Sequence, residues 1–500
     1  MSKFGKLLGF DAEAKQTSVK TEIIAGIVTF LAMCYILTVN PNQILYAGTA
    51  DARWSSLFIA TAFGAVIGTL LMAFLSKMPL AQASGMGLNS LVGSIIGGGI
   101  GFFAYGFNFT IGQAFMMVLI SGIVFLLLSV IKIKGKTIRE LIFDGMPIAV
   151  RSAISVGIGL FIAYIGFQNA GVIVANQYTQ VALVDFTVWA EGAAARTAIV
   201  AIIGLFLIAI LDKFNVKGSV IIGILGATIV GIPFGVTNLN VITGSVDGIS
   251  WKFWENYGNF FAGGENSVFG SFASVFTTGF PAGSLFTVIM LIITMCMIDM
   301  FDTMGTIVGC CGGNRLLSDE NDKPYNYGQI MISDAVATCA GAMLGTSTVT
   351  TFVESGAGVS AGGRTGLTAF TTACLFLLAT FALPFFAMIP SAATASALIY
   401  VGVLMMKNNV KSVDFSNAIN AVSAFLTIVV MVLSYSITKG IGIGMISYTL
   451  MSLVAYAVDM IVYACKKDKA EIEKPKFSVS IVAIVVTVLF LVYFFVPAVL

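Results

Sequence analysis

Fifteen apolar segments succeed one another along these 500 residues, and almost every one is long enough to cross, or nearly cross, a bilayer as a helix. They fall at about 22–45, 55–76, 79–97, 110–131, 149–167, 194–211 and 216–235. After a polar stretch they resume at 285–308, 328–345, 346–362, 366–387, 391–406, 415–434 and 439–463, and a last one lies at 477–499. Lipid offers the backbone no hydrogen-bond partners, so chains of this kind span as helices. The expected class is therefore an all-α polytopic membrane protein of about 14 spans, with the final segment as an extra. Composition agrees: 10% of residues are charged, against about 25% in a soluble chain. A net charge of +2 gives no reason to expect a nucleic-acid partner. The stretch from Met1 to Lys20 is polar and carries no cleavable leader pattern, so targeting is expected to rest on the first span.

Lysine and arginine set the orientation, because they collect on the cytoplasmic side. With a cytoplasmic N-terminus (1–21), these segments place 22 of the 26 basic residues inside and only Arg53, Arg196, Lys252 and Lys439 outside. The outer stretches at about 168–195 and 236–283 then carry Asp185, Glu191, Asp247, Glu255 and Glu265, with Trp189, Trp251 and Trp254. Asn40-Pro41 reads as the end of the first span's helix.

Fourteen spans divide into two sevens, and an odd number per half inverts the second half. KGSVIIGILGATIVG from Lys217 resembles KGIGIGMISYTLMSL from Lys439, each the last span of its half. The third span of each half is also atypical: PLAQASGMGLNSLVG from Pro79 and TSTVTTFVESGAGVS from Thr346. Short, Gly-interrupted segments at matching places in two halves are the sequence mark of a transporter binding site. Thr346 to Val353 is rich in β-branched residues, which favour extended chain. A short β-strand followed by a half-helix is expected in each, the two strands pairing and both helix starts facing one pocket.

Three acids stand out against this apolar background. Asp299 and Asp302 lie three residues apart in the run from Leu285 to Val308, on one helix face, and Glu354 follows in the second atypical segment. A charged side chain at membrane depth costs roughly 2.5–3.5 kcal/mol, which suggests a use. Histidine is absent, so proton chemistry must fall to carboxylates, and two acids so close should not both stay ionised. The seven cysteines show no metal-ligand spacing, and Cys310-Cys311 reads as small packing residues. No metal, cofactor or enzyme motif is present. Bland alternatives stay open: Asp299 or Asp302 bracing a helix break, Glu354 as a helix cap, Asn89 as a satisfied interior amide, Phe352 as packing.

Several strings resemble those of the AzgA-like hypoxanthine/adenine/guanine permeases, within the nucleobase–cation symporter-2 (xanthine/uracil permease) superfamily. They are QASGMGLN (82–89), GIGLFIAYIGFQNAG (157–171), FDTMGTIVG (301–309) and GTSTVTTFVESGAGVSAGGRTGLTA (345–369), and the likeness runs over roughly 10–497. The resemblance implies two inverted seven-span repeats split into core and gate domains. The core would be 22–131 and 284–390, the gate 137–235 and 391–463, with 236–283 an extracellular loop and 464–500 a tail. It further implies purine uptake by proton symport, Na+ coupling not being excluded. Asn89, Asp299 and Glu354 would contact the base, and Asp302 would support the site or the proton step. Gln82, Ser84, Ser355 and Phe352 join them as candidate binding residues, Ser84 standing where the family often has cysteine or another small residue. Asp299 and Glu354 are candidates for proton coupling as well. The expected partners are a purine base, the lipid bilayer and a possible homodimer. The rivals are a uracil or xanthine permease and, more remotely, a sulfate- or bicarbonate-type anion carrier.

Overall fold

The structure is a computed structural model. It describes residues 3–45, 49, 51–96, 109–133, 135–176, 178–190, 192–216, 218–237, 239–241, 249–262, 267–311, 314–318, 324–415, 417–465 and 479–495. Glu191, Asp247 and Glu265 of the outer stretches lie outside the described residues, as do Lys134, Lys217, Lys323 and the lysines at 466–476.

The apolar segments become helices almost one for one. In chain order they are α1 (Val19–Met33), α2 (Ile36–Leu45), α3 (Trp54–Leu71), α4 (Met86–Ile95), α5 (Ile111–Val130), α6 (Ile148–Asn169), α7 (Ala194–Lys213) and α8 (Ser219–Gly231). Then come α9 (Leu285–Cys311), α10 (Tyr327–Leu344), α11 (Ser355–Ser360), α12 (Gly366–Ala379), α13 (Ser391–Asn409), α14 (Ala418–Leu433), α15 (Ile437–Cys465) and α16 (Ile481–Phe495). Among the described residues, eight helical runs are long and apolar enough to cross a membrane, and five more are apolar but shorter. The final apolar segment is one of the short ones. Among the described residues, six short strands form three antiparallel pairs: β1 (Gln82–Ser84) with β6 (Val349–Thr351), β2 (Lys132–Ile133) with β3 (Lys136–Thr137), and β4 (Ile173–Asn176) with β5 (Gln180–Leu183).

The first span differs from expectation. Its helix does not end at Asn40-Pro41; it breaks at Cys34–Tyr35, and Pro41 lies inside α2. Proline deprives the Leu37 carbonyl of its helical donor. Asn40 supplies an anchor at the same level, its Nδ2 donating to Thr61 Oγ1 at 2.7 Å and Thr346 Oγ1 at 2.8 Å.

The chain forms two compact units. The first, residues 1–130 and 162–401, holds the β1–β6 pair and the helices around it. In it α1 packs on α12, α3 on both α10 and α12, and α5 on α10. Buried Glu22 ties α1 to the start of α12, its carboxylate accepting from the Arg364 and Thr365 N–H groups and from Thr368 Oγ1 at 2.5 Å. The second unit, residues 131–161 and 402–500, is built on α14 against α15, with α16 packed on α15 and on Ile138–Gly145. Residues 162–235 belong to the first unit rather than to the second. Compactness draws that line, and compactness is not motion.

Both strands of the β1–β6 pair are wholly buried, so their outer edges need partners. On β1, Thr69 Oγ1 accepts from Gln82 N–H and donates to Gln82 O, both at 3.0 Å. On β6, Thr338 Oγ1 donates to Val349 O at 3.1 Å. Glycine lets the flanking helices come this close. A Cβ on Gly68 of α3 would stand 2.8 Å from Val349 Cγ1, and one on Gly341 of α10 would stand 2.6 Å from Val349 Cγ2. Non-helical backbone at this depth is thus covered by protein on both sides.

Candidate functional site

The site grows out of that strand pair. Gln82, Ala83 and Ser84 lie opposite Thr351, Thr350 and Val349, and the ladder extends through Gly85 N–H to Thr348 O and Phe352 N–H to Ala81 O, both 3.0 Å. Each strand then turns directly into a half-helix, α4 after Gly85 and α11 after Glu354. β-Branched Thr348 to Val353 explains the extension on one side, and Gly85 the turn on the other. Ser355 locks the two together: its hydroxyl accepts from Ala81 N–H at 3.0 Å.

Glu354 occupies the N-cap position of α11, but its side chain makes no cap hydrogen bond. It turns instead towards the broken first span, where the Tyr35 hydroxyl donates to Oε1 at 2.5 Å. The same hydroxyl lies 3.6 Å from the sulfur of Met86, the first residue of α4. Oε2 is buried without a hydrogen-bond partner among the described residues. An ionised carboxylate can accept about four hydrogen bonds, so Glu354 has unused capacity in a place that water does not reach.

Asn89 sits at the other half-helix, fully buried, with its carbonyl already occupied. Ser84 Oγ donates to Asn89 Oδ1 at 2.8 Å and Ser347 Oγ donates to the same oxygen. Ser84 also shares hydrogen bonds with Ser347 at 2.7 Å and Thr346 at 3.3 Å. The Asn89 amide nitrogen has only a long contact, 3.4 Å, to Ser84 O. Ser84 is therefore committed to bracing Asn89, while the amide N–H groups of Asn89 remain weakly engaged. Phe352 is buried beside Cys310, whose thiol lies 4.0 Å from the Phe352 carbonyl.

The two aspartates of α9 do different things. Asp299 is fully buried and accepts from Thr338 Oγ1 at 3.1 Å, the hydroxyl that also meets Val349 of β6. Asp302 is half-buried, one helical turn beyond Asp299. Sequence reasoning missed Asp334. It lies fully buried on α10, accepts from Gln82 Nε2 at 3.0 Å and from Thr303 Oγ1 at 2.8 Å, and reaches β6 through the Thr303–Thr350 contact at 2.6 Å. Its signal was available, since an acid inside the apolar run 328–345 meets the same criterion that singled out Asp299. Tyr35 was missed too, and nothing in its own segment marks it. Asp299, Asp302 and Glu354 thus gather around one strand pair, joined by a fourth carboxylate.

Such an arrangement can both accept hydrogen bonds from a ligand and donate to it. Among the described residues, its free capacity is acceptor oxygen on Glu354 and weakly engaged donor N–H on Asn89. The nearest arginine on the second segment, Arg364, spends Nη1 on the carbonyls of Val359 and Gly363.

A family model described as Permease family (Xan_ur_permease) matches residues 20–443. The chain belongs to that family. This permease is 35% identical over 437 residues to the adenine permease AdeP of Escherichia coli K12, covering 87% of this chain and 88% of that protein. It is 33% identical over 448 residues to the guanine/hypoxanthine permease PbuO of Bacillus subtilis 168, covering 88% of this chain and 93% of that one. It is a multi-pass membrane transporter, not an enzyme. Among solved structures, the transmembrane domain of a cyanobacterium bicarbonate transporter BicA superposes with a TM-score of 0.58 over 85% of this permease and 97% of that chain. At 14% identity that likeness speaks for the fold alone.

Proposed function

We propose that this permease imports purine bases (hypoxanthine, guanine and adenine) by proton symport, with a core domain moving against a gate in alternating access. The observation that carries the reading is the unsatisfied oxygen of Glu354 beside a strand pair that also presents Asn89. A purine is flat, neutral and rimmed with N–H donors and ring acceptors. Glu354 accepts a base N–H, the Asn89 amide donates to a ring nitrogen or carbonyl, and Asp299 holds the same wall through Thr338. The proton is taken up on the cluster formed by Asp302, Asp334 and Glu354, where several like charges in low dielectric cannot all remain ionised. Protonation removes the repulsion, the base docks, and inward opening releases both. The adenine and guanine/hypoxanthine permeases among the relatives support these three purines over uracil or xanthine. An anion cargo fits poorly beside four carboxylates.

Labelled hypoxanthine uptake in a cell lacking its own purine transport tests the reading, with and without a protonophore. Accumulation that collapses with the pH gradient is the expected result. Accumulation that survives the protonophore but follows a sodium gradient removes the proton, and no uptake of any purine removes the reading.

A further inference from the structure

A cavity of about 340 Å³ lies in the first unit, away from the acids, lined by residues that include Val39, Asn42, Gln43, Asn169, Ser391 and Thr394. Its volume falls at the small end of the range of small-molecule pockets, roughly 300–1,000 Å³. Gln43 is 3% exposed, yet neither its Nε2 nor its Oε1 has a hydrogen-bond partner among the described residues. A buried amide without partners is costly, so both polar atoms of Gln43 call for hydrogen bonds. The neighbouring polar groups are partly spent: Asn42 Oδ1 accepts from Trp54 Nε1 at 2.8 Å, and Thr394 Oγ1 donates to Ser391 O at 3.0 Å. Among the described residues, no acidic or basic side chain lines the cavity, which suits it to an uncharged ligand.

Gln43 also has a fixed relation to the strand-pair site. Tyr35, Val39 and Gln43 follow at four-residue spacing, and the bond from Val39 N–H to Tyr35 O at 3.0 Å keeps them in helical register. Tyr35 holds Glu354, and buried Gln43 lines the cavity eight residues further on, about 12 Å along the axis at 1.5 Å per residue. One helical stripe therefore runs from the cavity to the carboxylate. An amide presents a donor and an acceptor side by side, the complement of a heterocycle edge that pairs an N–H with a carbonyl or ring nitrogen. Val39, Ile389 and Leu398 supply apolar surface for its faces.

We propose that this cavity is a second nucleobase station, distinct from the strand-pair site, with Gln43 as its recognition residue. It rests on the purine reading above and adds a first stop on the path to Glu354. Binding of labelled hypoxanthine to the purified permease in nanodiscs, paired with uptake, tests it. Glu354→Gln is expected to abolish tight binding but leave a weaker phase, and adding Gln43→Leu to that variant is expected to weaken the remaining phase at least tenfold. Gln43→Leu alone should raise the KM for uptake about fivefold to tenfold at unchanged maximal rate, with tight binding kept. Should Gln43→Leu elute as misfolded protein, the near-isosteric Gln43→Glu replaces it with the same expectations. A wild-type protein with one binding phase, a weak phase indifferent to Gln43, or an unchanged KM would each show a water-filled vestibule only and overturn the station while leaving purine transport standing. A wild-type protein that neither binds nor transports hypoxanthine overturns both.

Discussion

The two strand-and-half-helix segments look alike in backbone and differ in how their polar groups are used. In the first, Ser84 and the carbonyl of Asn89 are consumed by a hydroxyl nest with Ser347 and Thr346, and Gln82 reaches across to Asp334. In the second, Glu354 has one oxygen held by Tyr35 and the other held by none of the described residues. A closed network fixes geometry, because every member loses free energy if it moves. On the proposed reading the first segment positions, with the Asn89 N–H as its most weakly engaged group, and the second does the chemistry.

Four substitutions break or sharpen that contrast. Glu354→Gln is the largest: loss of the charged acceptor should cut hypoxanthine uptake at least 100-fold, about 2.7 kcal/mol. Wild-type uptake in that variant would erase the distinction between the segments. Tyr35→Phe removes the donor that aims Glu354 and should raise KM about tenfold, with the protein folded normally by size-exclusion and thermal melting. Asp334→Ala strands Gln82 Nε2 and Thr303 in the interior and should cost about 2–3 kcal/mol of stability, read as a lowered melting temperature. Because Asp334 belongs to the cluster proposed to take up the proton, the same variant should shift the pH profile of uptake, which a purely structural role would leave in place. Ser84→Ala is the smallest: Ser347 still serves Asn89 Oδ1, so uptake per folded molecule should stay within about threefold. A loss from Ser84→Ala matching that from Glu354→Gln would put both segments in the chemistry.

How much of this could be read from sequence follows from how local each signal is. The helices were legible because apolar run length is a local property. The strands at 82–84 and 349–351 were legible because β-branched threonines and glycines interrupt an otherwise helical text. Glu354 and Asp299 declared themselves by cost alone. The helix break at Cys34–Tyr35 was not legible, since Asn40-Pro41 offered a stronger local stop and only the contacts of Asn40 with Thr61 and Thr346 overrule it. Nor was the Tyr35–Glu354 bond, which joins residues 319 positions apart. Ser84 appeared available for a ligand until the serine and threonine opposite it were placed. The expected division into core and gate concerns motion, which neither sequence nor a single conformation displays.

Gln82 and Thr351 face each other across 269 positions of chain. At about 5–20 residues per second of synthesis, roughly 13–54 s pass between the emergence of one strand and the arrival of its mate. Through that interval the earlier half holds an uncovered strand edge in or beside lipid, where unmet N–H and C=O groups are costly. Biogenesis of this permease therefore contains a waiting step. Truncation between the two strands should yield a nascent chain that membrane chaperones retain or proteases remove, however well its first four hydrophobic segments insert.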